Sequence, residues 1–209
     1  MEKKLEKILV ATSNQGKFRE MGEVLRDLPY KIVSLTDVGI AADYEEIGET
    51  FAENALGKAR YYATKSGLTT IAEDSGILVE ALKEQLGVKT RRWGKGENAS
   101  DEEWIAHFLT VMSKFENEDQ RNACFVCCAA LAMVDEKAKV MEEFVFEGRT
   151  EGVITKALEA PIYAGLPLSS CFRPNGFAKV YAALDINEKN RVSHRGKALH
   201  SLVDFLMKV

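Results

Sequence analysis

The period of the apolar positions changes several times along the chain, and each change marks an element. Lys7 to Thr12 is a short, almost unbroken apolar run of the kind a buried strand makes. Asn14-Gln15-Gly16-Lys17 then turns the chain, and Phe18, Met21, Leu25 and Leu28 fall at helical spacing until Pro29 closes that helix. Ile32-Val33 starts a second strand. Thr50-Phe51-Ala52-Glu53 has the form of a capping box, which predicts a helix to about Ser66 with Gly67 as its stop. Thr69 to Ala72 reads as a short strand, Glu73-Asp74-Ser75-Gly76 as an acidic turn, and Ile77 to Leu82 as the continuation. Ser100-Asp101-Glu102-Glu103 is a second capping box, with Trp104, Ile105, Phe108 and Met112 on the buried face of its helix. A hairpin is predicted from Ala123 to Phe146, turning near Asp135-Glu136-Lys137. A last helix starts around Arg195, with Ala198, Leu199, Leu202, Val203 and Leu206 on one side. Early alternation of strands and helices followed by an antiparallel pair predicts an α/β fold with a mixed sheet. No repeat, low-complexity tract or linker divides residues 1–209, so a single domain is expected.

Composition narrows the partners. Hydrophobic residues make up 46% and charged residues 29% of the 209, the range of a folded globular chain. The net charge of −4 argues against non-specific nucleic-acid binding, which needs a basic surface to displace phosphate counterions. It does not exclude a small anion, because a local basic cluster dominates its own cleft. The polar start runs into an apolar stretch, Ile8 to Ala11, too short for a signal sequence or a membrane span, so a cytoplasmic, membrane-free location is expected. Cys124 and Cys127 form a C-x-x-C, but they sit in the apolar run Ala123 to Val134 with no second ligand pair at zinc spacing. With Cys128 and Cys171 they are read as buried, reduced core thiols. Asn98-Ala99-Ser100 fits a glycosylation sequon, which is idle without secretion.

Three polar segments carry candidate chemistry. Thr12-Ser13-Asn14-Gln15-Gly16-Lys17 joins a strand to a helix, where unpaired backbone N–H groups and the helix dipole favour an anion. Small polar side chains, a permissive glycine and the Lys17 ammonium suit a polyphosphate, although the spacing is not that of a Walker A loop. Plain helix capping by Ser13 or Asn14 is the alternative. Glu45-Glu46 and Glu73-Asp74 supply carboxylates from separate segments, and magnesium takes one or two carboxylates plus waters and substrate phosphates. Against this, exposed acids near a helix start are ordinary, and the Asp74 segment also reads as a structural turn. The third segment, Glu188 to Lys197, is polar and basic just before the final helix. Ser193 is a plausible N-cap there, and His194 and Arg195 stand where a helix terminus meets a ligand; a solvated basic turn is the other reading.

Together these segments resemble the inosine triphosphate pyrophosphatase family. The family pattern [ST]-x-N-x-x-K is met by Thr12, Asn14 and Lys17, and E-x-G-x-T-F-x-E-N-A-x-x-K-A-R by Glu46 to Ala55 with Lys58-Ala59-Arg60. A-[DE]-D-S-G-[LI] appears as Ala72 to Ile77, G-V-x-[ST]-x-R as Gly87 to Arg92, and E-K-N-x-x-S-H-R-G-x-A-L as Glu188 to Leu199. The matches keep the family's order and span nearly the whole chain. The resemblance implies an elongated mixed sheet with flanking helices, two lobes around a central cleft, and a homodimer. It implies hydrolysis of inosine, deoxyinosine and xanthosine triphosphates, with magnesium, to the monophosphate and pyrophosphate, clearing such nucleotides from the pool. By position it implies Asp74 as general base, with Lys17 beside the reacting phosphates, and Glu46, Glu73 and Asp74 around the metal. Thr12, Ser13, Asn14, Lys17 and Lys58 would hold phosphates, Ser75 and Arg92 would line the site, and Lys189, His194 and Arg195 would read a 6-oxo purine.

One stretch departs from the family. Where G-F-G-Y-D-P is usual, this chain has Gly165-Leu166-Pro167-Leu168-Ser169-Ser170, so Leu166 replaces a base-stacking aromatic and Ser169 an aspartate. Stacking of a ring on a base is worth about 1–3 kcal/mol, so the change bears on base choice and leaves the phosphate chemistry alone. Tyr163 and Trp93 are the candidates for a replacement ring. Two rival functions follow: a pyrophosphatase of the same fold with another base preference, and a nucleotide-binding protein with reduced turnover.

Overall fold

The computed structural model describes residues 6–208, apart from residues 84, 97, 136 and 138 and the side chain of residue 141. Six strands form one sheet: β1 (Lys7–Val10), β2 (Lys31–Ser34), β3 (Thr69–Val79), β4 (Asn122–Val134), β5 (Val140–Ile154) and β6 (Phe172–Pro174). Their order is β2-β1-β3-β4-β5-β6, with β1 parallel to β2 and β3 and every later pairing antiparallel. The helices are α1 (Gln15–Leu25), α2 (Phe51–Ser66), α3 (Asp101–Met112), α4 (Ile186–Val192) and α5 (His194–Leu206). The expected mixed α/β fold is therefore present.

Successive residues of β3 and β4 face opposite sides of the sheet, and each side has its own core. Ile71, Cys127, Ala129 and Leu131 pack with Met21 and Leu25 of α1 and Leu199 and Leu202 of α5. Ala72, Cys128, Ala130 and Ala132 pack with Ala55, Ala59 and Ala63 of α2, small residues that allow helix and sheet to approach closely. A third core, at the far end of β3, gathers Ile77, Val79, Trp104, Ile105, Phe108, Phe125 and Phe172 under α3. Two bodies of packed residues thus lie at the two ends of the long strands β3 to β5. All four cysteines are buried and free of disulfides, as their apolar setting predicts.

Both capping boxes form as read: Thr50 and Ser100 each accept an N–H from the glutamate three residues on, whose side chain reaches back to the cap. Gly67 ends α2 in the left-handed region at φ 67°. The hairpin turns at Asp135, which bonds the N–H groups of Lys137 and Lys139 through its carboxylate; Glu136, also expected in that turn, lies outside the described residues.

Two elements differ from the sequence reading. Glu73-Asp74-Ser75-Gly76 is not a turn but the middle of β3, paired residue for residue with Ala129, Cys128, Cys127 and Val126. The strand tolerates its acids because alternation sends Glu73 to the α1/α5 side and Asp74 to the α2 side, and each side supplies partners. The polar segment before the last helix is itself helical: Asp185 caps α4, and Ser193, at its end, caps α5.

The candidate active site

Strand β1 stops at Val10, whereas β3 continues for eight residues beyond Ile71, its last partner on that side. From Ala72 onward the ladder of β3 is paired to β4 alone, so its other edge faces a cleft of about 380 Å³. The turn Thr12–Lys17 closes one side of this cleft. Thr12, Ser13, Asn14 and Lys17 all line it, and Asn14 caps α1 by accepting the Lys17 N–H at 3.0 Å. The first turn of α1 contains no acid, which leaves its positive end free for an anion. Gly16 is required there: a Cβ would stand 2.7 Å from the Ala164 carbonyl oxygen.

On the α1/α5 side, charges are packed in layers. Lys17 Nζ lies 2.6 Å from Glu73, and Arg195 reaches Glu73 at 3.5 Å and Ser75 Oγ at 3.0 Å. Burial works against the Glu73 charge, but Lys17 and Arg195 outweigh it and hold the carboxyl well below the usual range. Glu20, buried on α1, accepts from Arg195 and pairs with Lys189 at 2.5 Å. Lys189 also donates to Ser169 Oγ at 3.4 Å. His194 stacks on Phe125 with centroids 4.5 Å apart, and burial, aided by Arg195, drives its pKa well down, so the ring is neutral.

On the α2 side stands Asp74. Its two oxygens accept from the Ser75 N–H and from Asn54 Nδ2, both at 2.9 Å. Asn54 in turn accepts the Gly48 N–H at 2.7 Å, tying the segment that carries Glu46 to Asp74. Lys58 bonds Glu46 and the Glu73 carbonyl. Burial, with the nearby Glu46 charge, pushes the Asp74 carboxyl up to about 6 despite Lys17 and Lys58. Asp74 sits just behind the cleft wall, while Glu46, Lys58 and Ser75 line it.

Lys17, Lys58, Ser75, Leu166, Ser169, Lys189, His194 and Arg195 all line the cleft. Arg92 does not. It holds the Glu46 and Val88 carbonyls and faces a neighbouring hollow, because the single turn Gly87–Lys89 directs Thr90 and Arg91 inward instead. Neither Tyr163 nor Trp93 supplies a ring to the cleft: Tyr163 lies under Arg19 and Lys189, and Trp93 packs on Trp104, His107 and Phe108. The rings in the wall are Trp104, Phe125, Tyr181 and the two tyrosines near Glu46, Tyr44 and Tyr62. Among the described residues no group of three His, Cys, Asp or Glu side chains gathers in metal-binding geometry. Glu73, expected beside a metal, is taken up by its two cations. Two carboxylates on separate elements stand close enough to repel one another, Asp74 and Glu46, the latter bonded to Lys58; as a pair they are a donor set of the kind magnesium takes from protein.

Sequence reasoning left two residues unassigned. Glu20 and Asn54 each lie on the buried stripe of a helix, among Gly16, Met21 and Leu25 in one case and Ala55 and Ala59 in the other. A polar residue on an apolar stripe was the available signal.

Comparison with known proteins accords with this layout. The Ham1 family model matches residues 8–205. A dITP/XTP pyrophosphatase of Geobacter sulfurreducens is 39% identical over 201 residues, 96% of either chain, and that of Haemophilus influenzae 38% identical over 197, covering 94% of this chain and 97% of the relative. Among solved structures, a HAM1 protein from Coxiella burnetii superimposes with a TM-score of 0.80 at 35% identity, covering 98% of this chain and all of the other. The Staphylococcus aureus Ham1 protein gives 0.78 at 32% identity over 97% and 99% of the two chains. Matched by its family model along almost its entire length, this chain belongs to the Ham1 family.

Proposed function

We propose that this chain hydrolyses inosine, deoxyinosine and xanthosine triphosphates to the monophosphate and pyrophosphate. The observation that carries the reading is the convergence, at the free edge of β3, of Lys17, Lys58 and Arg195 with the carboxylates of Glu46 and Asp74 beside an acid-free helix start. The dITP/XTP pyrophosphatases among its relatives support the substrate class. Lys17 and Lys58 neutralise the polyphosphate, with Thr12, Ser13, Asn14 and the α1 N-terminus donating to its oxygens. Asp74, held by Asn54 and Ser75, takes a proton from the attacking water; a carboxyl titrating near 6 is mostly ionised at neutral pH yet basic enough for that task. Glu46 and Asp74 would hold magnesium, which when bound offsets charge on the phosphates. Lys189, Arg195 and the neutral His194 offer donors to the 6-oxo edge of the base, with Glu20 fixing the first two.

A broadened base preference is the second reading, and the absence of a ring from the Leu166 loop favours it. Homodimer formation is carried over from the family resemblance, and a cytoplasmic location from the sequence reading. Among the described residues no helix is long and apolar enough to cross a membrane. The test is a nucleotide panel with magnesium present and absent. The expected outcome is equimolar monophosphate and pyrophosphate from inosine triphosphate, only with the metal. Orthophosphate alone, or no product from any nucleotide, contradicts the assignment.

A further inference from the structure

The loop that brings Leu166 and Ser169 to the cleft is gripped at a single residue. Gly165 donates its N–H to Asp101 Oδ2 at 2.6 Å, and its carbonyl accepts from Asn14 Nδ2 at 2.9 Å. The two partners come from elements packed on different cores: Asn14, within the phosphate turn, caps α1, whereas Asp101 opens α3 above the core at the far end of β3. The fit is close: Gly165 has φ +79°, and a Cβ there would stand 2.5 Å from Asn14 Oδ1. A carboxylate acceptor makes a stronger hydrogen bond than a neutral one. Arg91 lies 3.9 Å from the same carboxylate, which itself lines the cleft.

We propose that Asp101 is a specificity-determining positioning residue. By holding the Gly165 N–H it fixes where Leu166 stands over the base, and so governs base discrimination without touching the reacting phosphates. This rests on the triphosphate reading above. Interactions with the base that are equal in the ground and transition states appear in KM, whereas Asp74 and Lys17 act on kcat.

The experiment is steady-state pyrophosphate release from inosine triphosphate and uridine triphosphate, with magnesium. For Asp101→Ala, loss of a hydrogen bond to a charged group raises KM for inosine triphosphate by about tenfold or more. kcat stays within about twofold, and the kcat/KM preference over uridine triphosphate falls by about tenfold. Asp101→Asn, whose carbonyl oxygen still accepts from Gly165, restores most of both. Asp101→Ser is too short to reach Gly165 and repeats the alanine result, standing in for it should alanine unfold the helix start. Unchanged KM and preference in these variants overturn the proposal, as does an equal loss of kcat on both nucleotides. Wild-type protein that releases pyrophosphate from neither nucleotide overturns the underlying reading and this inference with it.

Discussion

Asp74 concentrates the conflict between stability and chemistry. Its carboxylate is nearly inaccessible, faces Glu46, and carries two hydrogen bonds that only partly offset its burial. A carboxyl raised to about 6 from the ordinary 3.8 holds its proton more tightly folded than unfolded. Its contribution to stability is therefore fully present below the unfolded value and is lost as pH rises through about 6. The difference corresponds to about 3 kcal/mol. Unfolding free energies of the metal-free wild type and Asp74→Asn, taken by denaturant titration at pH 4 and pH 7, should show it. The variant gains on the wild type by up to about 3 kcal/mol between the two pH values; a constant gap contradicts the burial of the charge. The sequence disclosed this residue's presence, since an acidic pair interrupts an apolar path. It did not disclose the environment, because Glu73 and Asp74 look alike until alternation along a strand sends one to two cations and the other to Asn54 and Glu46.

At the scale of elements, legibility followed locality. The two capping boxes and the Gly67 stop were readable because their signals lie within four residues of each other. The continuity of β3 was not, because the partners that let an acidic pair sit in mid-strand come from α1, α2 and α5. Helix α4 was hidden for a similar reason. It has no apolar stripe of its own and gains its place through Lys189, which turns inward to Glu20. That ion-paired cluster locks α1 to α4 and α5. Removing Glu20 leaves Lys189 and Arg195 buried with one carboxylate fewer, and breaking a buried pair costs about 3–5 kcal/mol. Glu20→Ala should lower the unfolding free energy in urea by that amount at neutral pH. A loss under about 1 kcal/mol would show that the cluster is solvated and does not join the helices.

For the whole molecule, the sheet does two jobs with one strand. The parallel end, β2-β1-β3, presents a helix N-terminus at the point where β1 stops, and the antiparallel end carries the aromatic core that walls the far side of the cleft. The family resemblance was legible because its motifs recur in order along the chain, and the fold agrees with it. What stayed out of reach was which matched residues meet: Arg92 turns away, while Asp101, read from the sequence only as part of a capping box, grips the base loop through Gly165, 64 residues further on. The central claim is that a water activated by Asp74 attacks a triphosphate held by Lys17 and Lys58. Single-turnover cleavage of inosine triphosphate by Asp74→Asn, with magnesium and with binding measured separately, tests it most directly. The account predicts a dissociation constant within a few fold of wild type and a cleavage rate reduced by about 10²–10⁴-fold. A cleavage rate near that of the wild type would contradict it.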